Sequence, residues 1–162
     1  MASIKLKFDF SKMLESVKDA GGDVEKTAAR CANECAKVVH NELVSECGAS
    51  GVPSSISGAI RDKVTETAGG NRYEVKVGWE MGEYNPKNPS AGYKAVFLNY
   101  GIPKQRHTKK PTHVLYKGHW ITSSNRGIIT GKGFIQRARA NANKKVKKVQ
   151  KETVQEIIKE LK

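Results

Sequence analysis

A chain of 162 residues is long enough for one domain with a real core and short for two. Hydrophobic residues make up 38%, and no apolar run approaches the roughly 20 residues that span a bilayer, which argues against a membrane protein. The formal charge of +13 points to an acidic partner, and its distribution is more informative than its sum. From Tyr84 to Lys151 there is no Asp or Glu against 16 Lys and Arg, while the remainder holds 13 basic and 16 acidic residues. The whole surplus therefore lies in one contiguous stretch.

Met1 to Phe10 alternates Lys with apolar residues and lacks the apolar stretch and cleavage site of a signal peptide, so the chain is expected to stay where it is made. Residues 1–22 are read as an N-terminal segment with one short helix. Ser11 caps it, it runs to about Asp19, and Gly21-Gly22 breaks it. Asp23 caps a longer helix, with Val24, Ala28, Cys31, Cys35, Val38, Val39 and Leu43 recurring at three- and four-residue intervals. Gly48 is its expected stop. Such an amphipathic helix should lie across a sheet.

Pro53 is placed to start a short helical turn through Ile60, and Val64 to Thr67 reads as a strand. After a turn at Gly69-Gly70-Asn71, Tyr73, Val75, Val77 and Trp79 alternate with Glu74, Lys76 and Gly78, the clearest strand signal in the chain. Tyr84 to Gly92 is loop. Ala95 to Tyr100 is apolar and short, and period alone does not separate helix from strand there. Residues 101–133 form a long basic loop, within which Val114 to Ile121 fits one strand of a hairpin. A final helix covers 134–162, with Phe134, Ala138, Ala142, Val146, Val149, Ile157 and Leu161 on its inner face. Its Lys144, Lys145, Lys147, Lys148 and Lys151 lie mostly outside. The sum is a single α+β domain over 1–162: two long helices packed on a small, mostly antiparallel β-sheet, with a long basic loop.

Chemistry finds little to hold. Cys31 and Cys35 share a helical face, but no other Cys or His pair completes a four-ligand zinc site, so all three cysteines read as small buried side chains in a reducing cytoplasm. No Gly-x-Ser-x-Gly elbow or phosphate-binding loop occurs. His107, His113 and His119 recur at six-residue intervals, yet no carboxylate stands near them in sequence to build a metal-dependent nuclease. His107, Tyr116 and His119 keep open a second reading: a small basic nucleic-acid-binding protein, in its active form a toxin-like ribonuclease. No zinc finger, ribonucleoprotein motif or helix-turn-helix is recognisable, so any contact with DNA would be through phosphates.

Three segments carry a resemblance. Ser57-Gly58-Ala59-Ile60-Arg61 before a strand is similar to the small-residue, Gly, apolar, Arg turn of the siphophage tail-completion family, whose members include minor tail and head–tail joining proteins. Tyr93-Lys94-Ala95-Val96-Phe97-Leu98-Asn99-Tyr100-Gly101 resembles that family's tyrosine-led segment ending in an acidic or amide residue, an aromatic and Gly. Gly133-Phe134-Ile135-Gln136-Arg137-Ala138 resembles the opening of its last helix. The resemblance runs from about Val24 to Lys162. Ile102 stands where the family has Thr, Gly133 where it has Pro, and the segment between Gly101 and Gly133 is longer than usual.

Physical roles accompany the motifs: Gly58 and Gly101 suit sharp turns with positive φ, and Phe134 can staple the last helix to the sheet. The resemblance implies a non-enzymatic subunit of a tailed-phage neck, assembled in the bacterial cytoplasm and carried in the virion at the head–tail junction. It further implies a homo-oligomeric ring, six-fold by analogy with the tail tube. Its neighbours would be the connector or stopper, the tail terminator and the tail tube. No cofactor, metal or catalytic residue is implied. Lys104, Arg106, Lys109, Lys110, Lys117, Arg126 and Lys132 form the candidate basic contact surface, toward an acidic neighbour or non-specifically toward genomic DNA.

Overall fold

Alternation decides the first element. In Ser-Ile-Lys-Leu-Lys-Phe-Asp, Ile4 and Leu6 are buried and Lys5 and Lys7 exposed, the period of a half-buried strand. The computed structural model of the chain, which describes residues 2–68, 71–82, 85, 88–102, 113–116, 119–122 and 129–161, accordingly begins with β1 (Ser3–Asp9). The expectation of only a short helix in 1–22 is corrected here, because the Lys–apolar alternation is itself the strand. Helix α1 (Ser11–Asp19) follows and buries Leu14 and Val17. Ser11 is its first residue and not its cap: Asp9 Oδ1 accepts from the Ser11 N–H at 3.0 Å and from its hydroxyl at 2.5 Å.

Helix α2 (Val24–Ala49) starts as expected, the Asp23 carboxylate accepting the Lys26 N–H at 3.1 Å. It runs past Gly48. The stop is a Schellman arrangement centred on Gly51 (φ 61°), with Val52 N–H donating to Cys47 O and Gly51 N–H to Gly48 O. The short α3 (Ser54–Ser57) leads into β2 (Arg61–Ala68), longer than its apolar signal, and β3 (Arg72–Gly78) takes the place predicted for it. The three strands form an antiparallel sheet in the order β1-β3-β2, with Ser3, Gly78 and Arg61 in one row and Lys5, Lys76 and Lys63 in another.

The segment left open by its period is helix α4 (Ala91–Tyr100), which buries Gly92, Ala95 and Asn99 on one face. Strand β4 (Gly101–Ile102) pairs antiparallel with β7 (Ile129–Thr130). Between them β5 (His113–Tyr116) pairs with β6 (His119–Thr122), so the stretch read as one strand supplies both arms of a hairpin. Helix α5 (Phe134–Glu160) ends the fold. The architecture is α+β, as expected.

Helices α2 and α5 run antiparallel, joined at one end by Arg137–Glu46 and at the other by Arg30–Glu160, with Lys145–Glu42 between. Small residues such as Ala32, Ala36, Ala138 and Ala142 are buried along them and let the axes approach. Helix α2 packs on β3 and β2, and α5 meets β1. The larger core cluster gathers Ile4, Leu6, Val75 and Val77 with both helices; the smaller joins Phe10, Leu14 and Val17 of the α1 end to Ala28, Tyr73 and Val154. The inner face of α5 is close to that expected, but Val149 is only half-buried and Leu161 exposed, Ile135 and Val154 being buried as well.

Candidate assembly surface

The three motif segments each place a residue in the larger core cluster, which also holds Trp79. This residue follows β3, is buried, and donates from Nε1 to the Ile56 carbonyl at 2.6 Å, which ties α3 to the sheet. Its ring meets Phe134 edge-on, with centroids 6.1 Å apart and planes at 80°. Phe134 thereby pins the start of α5 to the sheet. Ile60, Ala95 and Ala138 are buried in the same cluster, one from each motif.

Asn99 joins the second motif to the third. Its Oδ1 accepts the Ile135 N–H at 2.8 Å, satisfying one of the backbone donors that the first turn of a helix leaves open. The backbone reinforces this: Lys132 N–H donates to Leu98 O at 2.9 Å and Gly133 N–H to Asn99 O at 3.0 Å. Gly101 turns the chain out of α4 at φ 80° and ψ 174°, a region open essentially to glycine. Opposite it, a Cβ on Gly131 would stand 2.6 Å from the Tyr100 carbonyl carbon, so only glycine lets the two arms of the clasp close.

Other motif residues differ from expectation. Gly58 lies at φ −68°, an ordinary helical value, so no positive φ demands glycine there. Arg61 is exposed and closes the α3–β2 turn by donating from Nη1 to the Ile60 and Gly58 carbonyls at 2.9 and 3.3 Å. Ser57 is half-buried and donates to Ser54 O at 3.4 Å; Tyr93 is half-buried on α4. Tyr100 is 59% exposed, which removes it from the core and leaves it at the foot of the β4–β7 clasp.

Of the basic candidates, Lys104, Arg106, Lys109, Lys110, Lys117 and Arg126 lie outside the described residues. Lys132 is described, and its Nζ donates to Ser50 O at 2.6 Å. Arg137, whose role the sequence did not reveal, donates to Glu46, to Ser50 Oγ and to Lys132 O, locking the start of α5 to the end of α2. These two cations serve the fold. A further positive row appears where the sequence is close to neutral: Lys5, Lys76 and Lys63 stand side by side on the open face of the sheet, with Glu74 paired to Lys5 at 3.0 Å. Like charges in adjacent strands oppose sheet stability, so the row is tolerated for its solvent exposure or for a partner.

Cys31, Cys35 and Cys47 are fully buried, and burial pushes their thiols up to about 11, 12 and 11, far from the thiolate form that reacts or binds metal. Among the described residues no three His, Cys, Asp or Glu gather where an ion would sit. Likewise no described helix is long and apolar enough to cross a membrane. The side chains of His107, His113 and His119 lie outside what is described.

Comparison with known families gives the decisive observation. The family described as "Bacteriophage HK97-gp10, putative tail-component" matches residues 9–101, more than half of the chain. The chain belongs to this family. No curated protein and no solved structure matches it. The matched span of this tail-component protein runs from the end of β1 to Gly101 and contains the first two motifs. The third lies beyond it, yet Asn99 and Trp79 hold that third segment against the other two. What the motifs encode is therefore a structural junction, in keeping with a structural protein of the phage tail.

Proposed function

We propose that this protein is a neck subunit of a tailed phage, a ring-forming homo-oligomer that joins the capsid connector to the tail tube. Residues 1–162 act as one α+β domain and work by packing and assembly, without turnover. The observation that carries this reading is the family match over 9–101. The reading is supported by the β4–β7 ladder, which pairs the two ends of the basic segment beside exposed Tyr100. Lys132 and Arg137 are engaged within the fold, so the proposed contact falls to Lys104, Arg106, Lys109, Lys110, Lys117 and Arg126. Head-to-tail contacts closing by rotation fit a ring, and six copies match the tail tube it would abut. The neighbours are the stopper or connector, the tail terminator and the tail tube, and phosphates of the passing genome can meet the same cations without base readout.

Immunogold electron microscopy of an induced lysate tests the location. Label at the head–tail junction is expected; intact tailed particles bearing no label, with neck epitopes accessible, would remove the reading. The basic segment is tested separately. Replacing Lys104, Arg106, Lys109 and Lys110 with Ser should leave the circular-dichroism spectrum and melting temperature unchanged. Plaque titre should fall by at least about ten-fold, with unjoined heads and tails accumulating. A normal titre from the quadruple variant would show that the segment has no part in joining.

A further inference from the structure

We infer that the edge of the sheet at β1, beneath α5, is a docking groove for an extended segment of alternating apolar and acidic residues from a neighbouring protein, which would add to the sheet as a fourth strand. Two helices packed side by side cover about 18–20 Å in outer width, whereas three strands with their own width cover only about 14 Å. With α2 on β3 and β2, α5 overhangs the sheet beyond β1. Helix α1 fills half of that overhang, Phe10 and Leu14 packing with Val154. The other half is a groove of about 690 Å³ between β1 and the middle of α5.

The walls of the groove say what it would take. Its apolar side is Leu6, Phe8 and Val146; its rim is Lys7, Lys144 and Lys147, and no acidic residue lines it. These three lysines are exposed and make no ion pair among the described residues. Elsewhere on α5, by contrast, Lys145 pairs with Glu42, and Lys148, one turn on from Lys144, pairs with Glu152. Strand β1 pairs with β3 in unbroken register from Ser3 to Asp9, has no proline, and is an edge among the described residues. Lys5 and Lys7 discourage such an edge from pairing with a like-charged strand, while its backbone donors and acceptors can still serve a strand of opposite charge. An added strand would turn its apolar residues under α5 onto Phe8 and Val146 and its acidic ones out beside Lys7, with Lys147 and Lys144 above. A nucleic-acid strand would use the lysines but neither the apolar side nor the strand edge, so a protein segment is favoured.

The source of the segment, another virion protein, rests on the neck reading; the groove and its chemistry do not. The test uses the full-length chain and a fluorescent peptide, Glu-Val-Glu-Val-Glu-Val-Glu, followed by anisotropy beside a single-stranded oligonucleotide of equal length. Binding of the peptide should weaken about ten-fold or more in the Lys7→Glu/Lys147→Glu double variant. It should be unchanged in Lys12→Glu/Lys18→Glu, an equal charge change on α1, with circular dichroism showing both variants folded. N-methylation of alternate peptide amides should abolish it, because strand addition needs those donors. The proposal is overturned if the peptide does not bind, if both doubles lose affinity equally, if the methylated peptide binds as well, or if the oligonucleotide alone shows the Lys7/Lys147 dependence. None of these outcomes bears on immunogold label at the neck, so the two readings fail separately.

Discussion

Phe134→Ala is expected to cost about 3–5 kcal/mol of folding stability, the range for removing a buried aromatic ring that its surroundings cannot replace. The ring is fully buried at the start of α5 and lies edge-on to Trp79, which in turn holds the Ile56 carbonyl. Deleting it opens a void where α3, the end of β3 and the start of α5 meet. Collapse is resisted because Trp79 is fixed by its own hydrogen bond. Urea unfolding followed by tryptophan fluorescence measures the loss directly, since Trp79 reports on the site. A change below about 1 kcal/mol would mean that the three motifs do not share a packing centre.

The second large effect is at Asn99. Its Oδ1 serves the Ile135 N–H inside the protein, whereas its Nδ2 has no hydrogen-bond partner among the described residues. Asn99→Leu removes the acceptor and leaves a buried helix donor unpaired, which should cost about 1–3 kcal/mol. Asn99→Asp keeps an oxygen in place, discards the unpaired amide donor and sets a carboxylate at the positive end of α5. Burial of charge works against that gain. The expected order of melting temperature is therefore wild type and Asn99→Asp above Asn99→Leu. If the Leu variant melts no lower than the Asp variant, the cap is not what holds α5 to α4.

Both residues stood in the sequence as members of a motif, but nothing there paired them with their partners. Asn99 and Ile135 are 36 positions apart, and Glu46 and Arg137 are 91 apart. No local periodicity links such pairs, because periodicity reports which face of an element is apolar and not what covers that face. The basic row of Lys5, Lys76 and Lys63 was hidden for the same reason: each strand contributes one lysine, and only register brings them together. The groove beside β1 likewise joins the first residues of the chain to the last helix.

What the sequence determined by itself was whatever one element can encode: the Asp23 cap and the apolar stripe of α2, the alternation of β3, the helix opening at Phe134, the burial of the cysteines and the α+β class. In β1 the alternation was equally present, but a lysine at every second position also fits a charged tail, and only pairing with β3 distinguishes the two. In α4 nearly every residue is apolar or small, so the period was blank until the fold set Gly92, Ala95 and Asn99 inward. The tertiary structure alone decided which motif residues meet, that Tyr100 faces solvent, that Lys132 and Arg137 are engaged within the fold, and that α5 overhangs the sheet. Those are relations between elements distant in sequence, set by packing and strand register, and no stretch of sequence contains both sides of them.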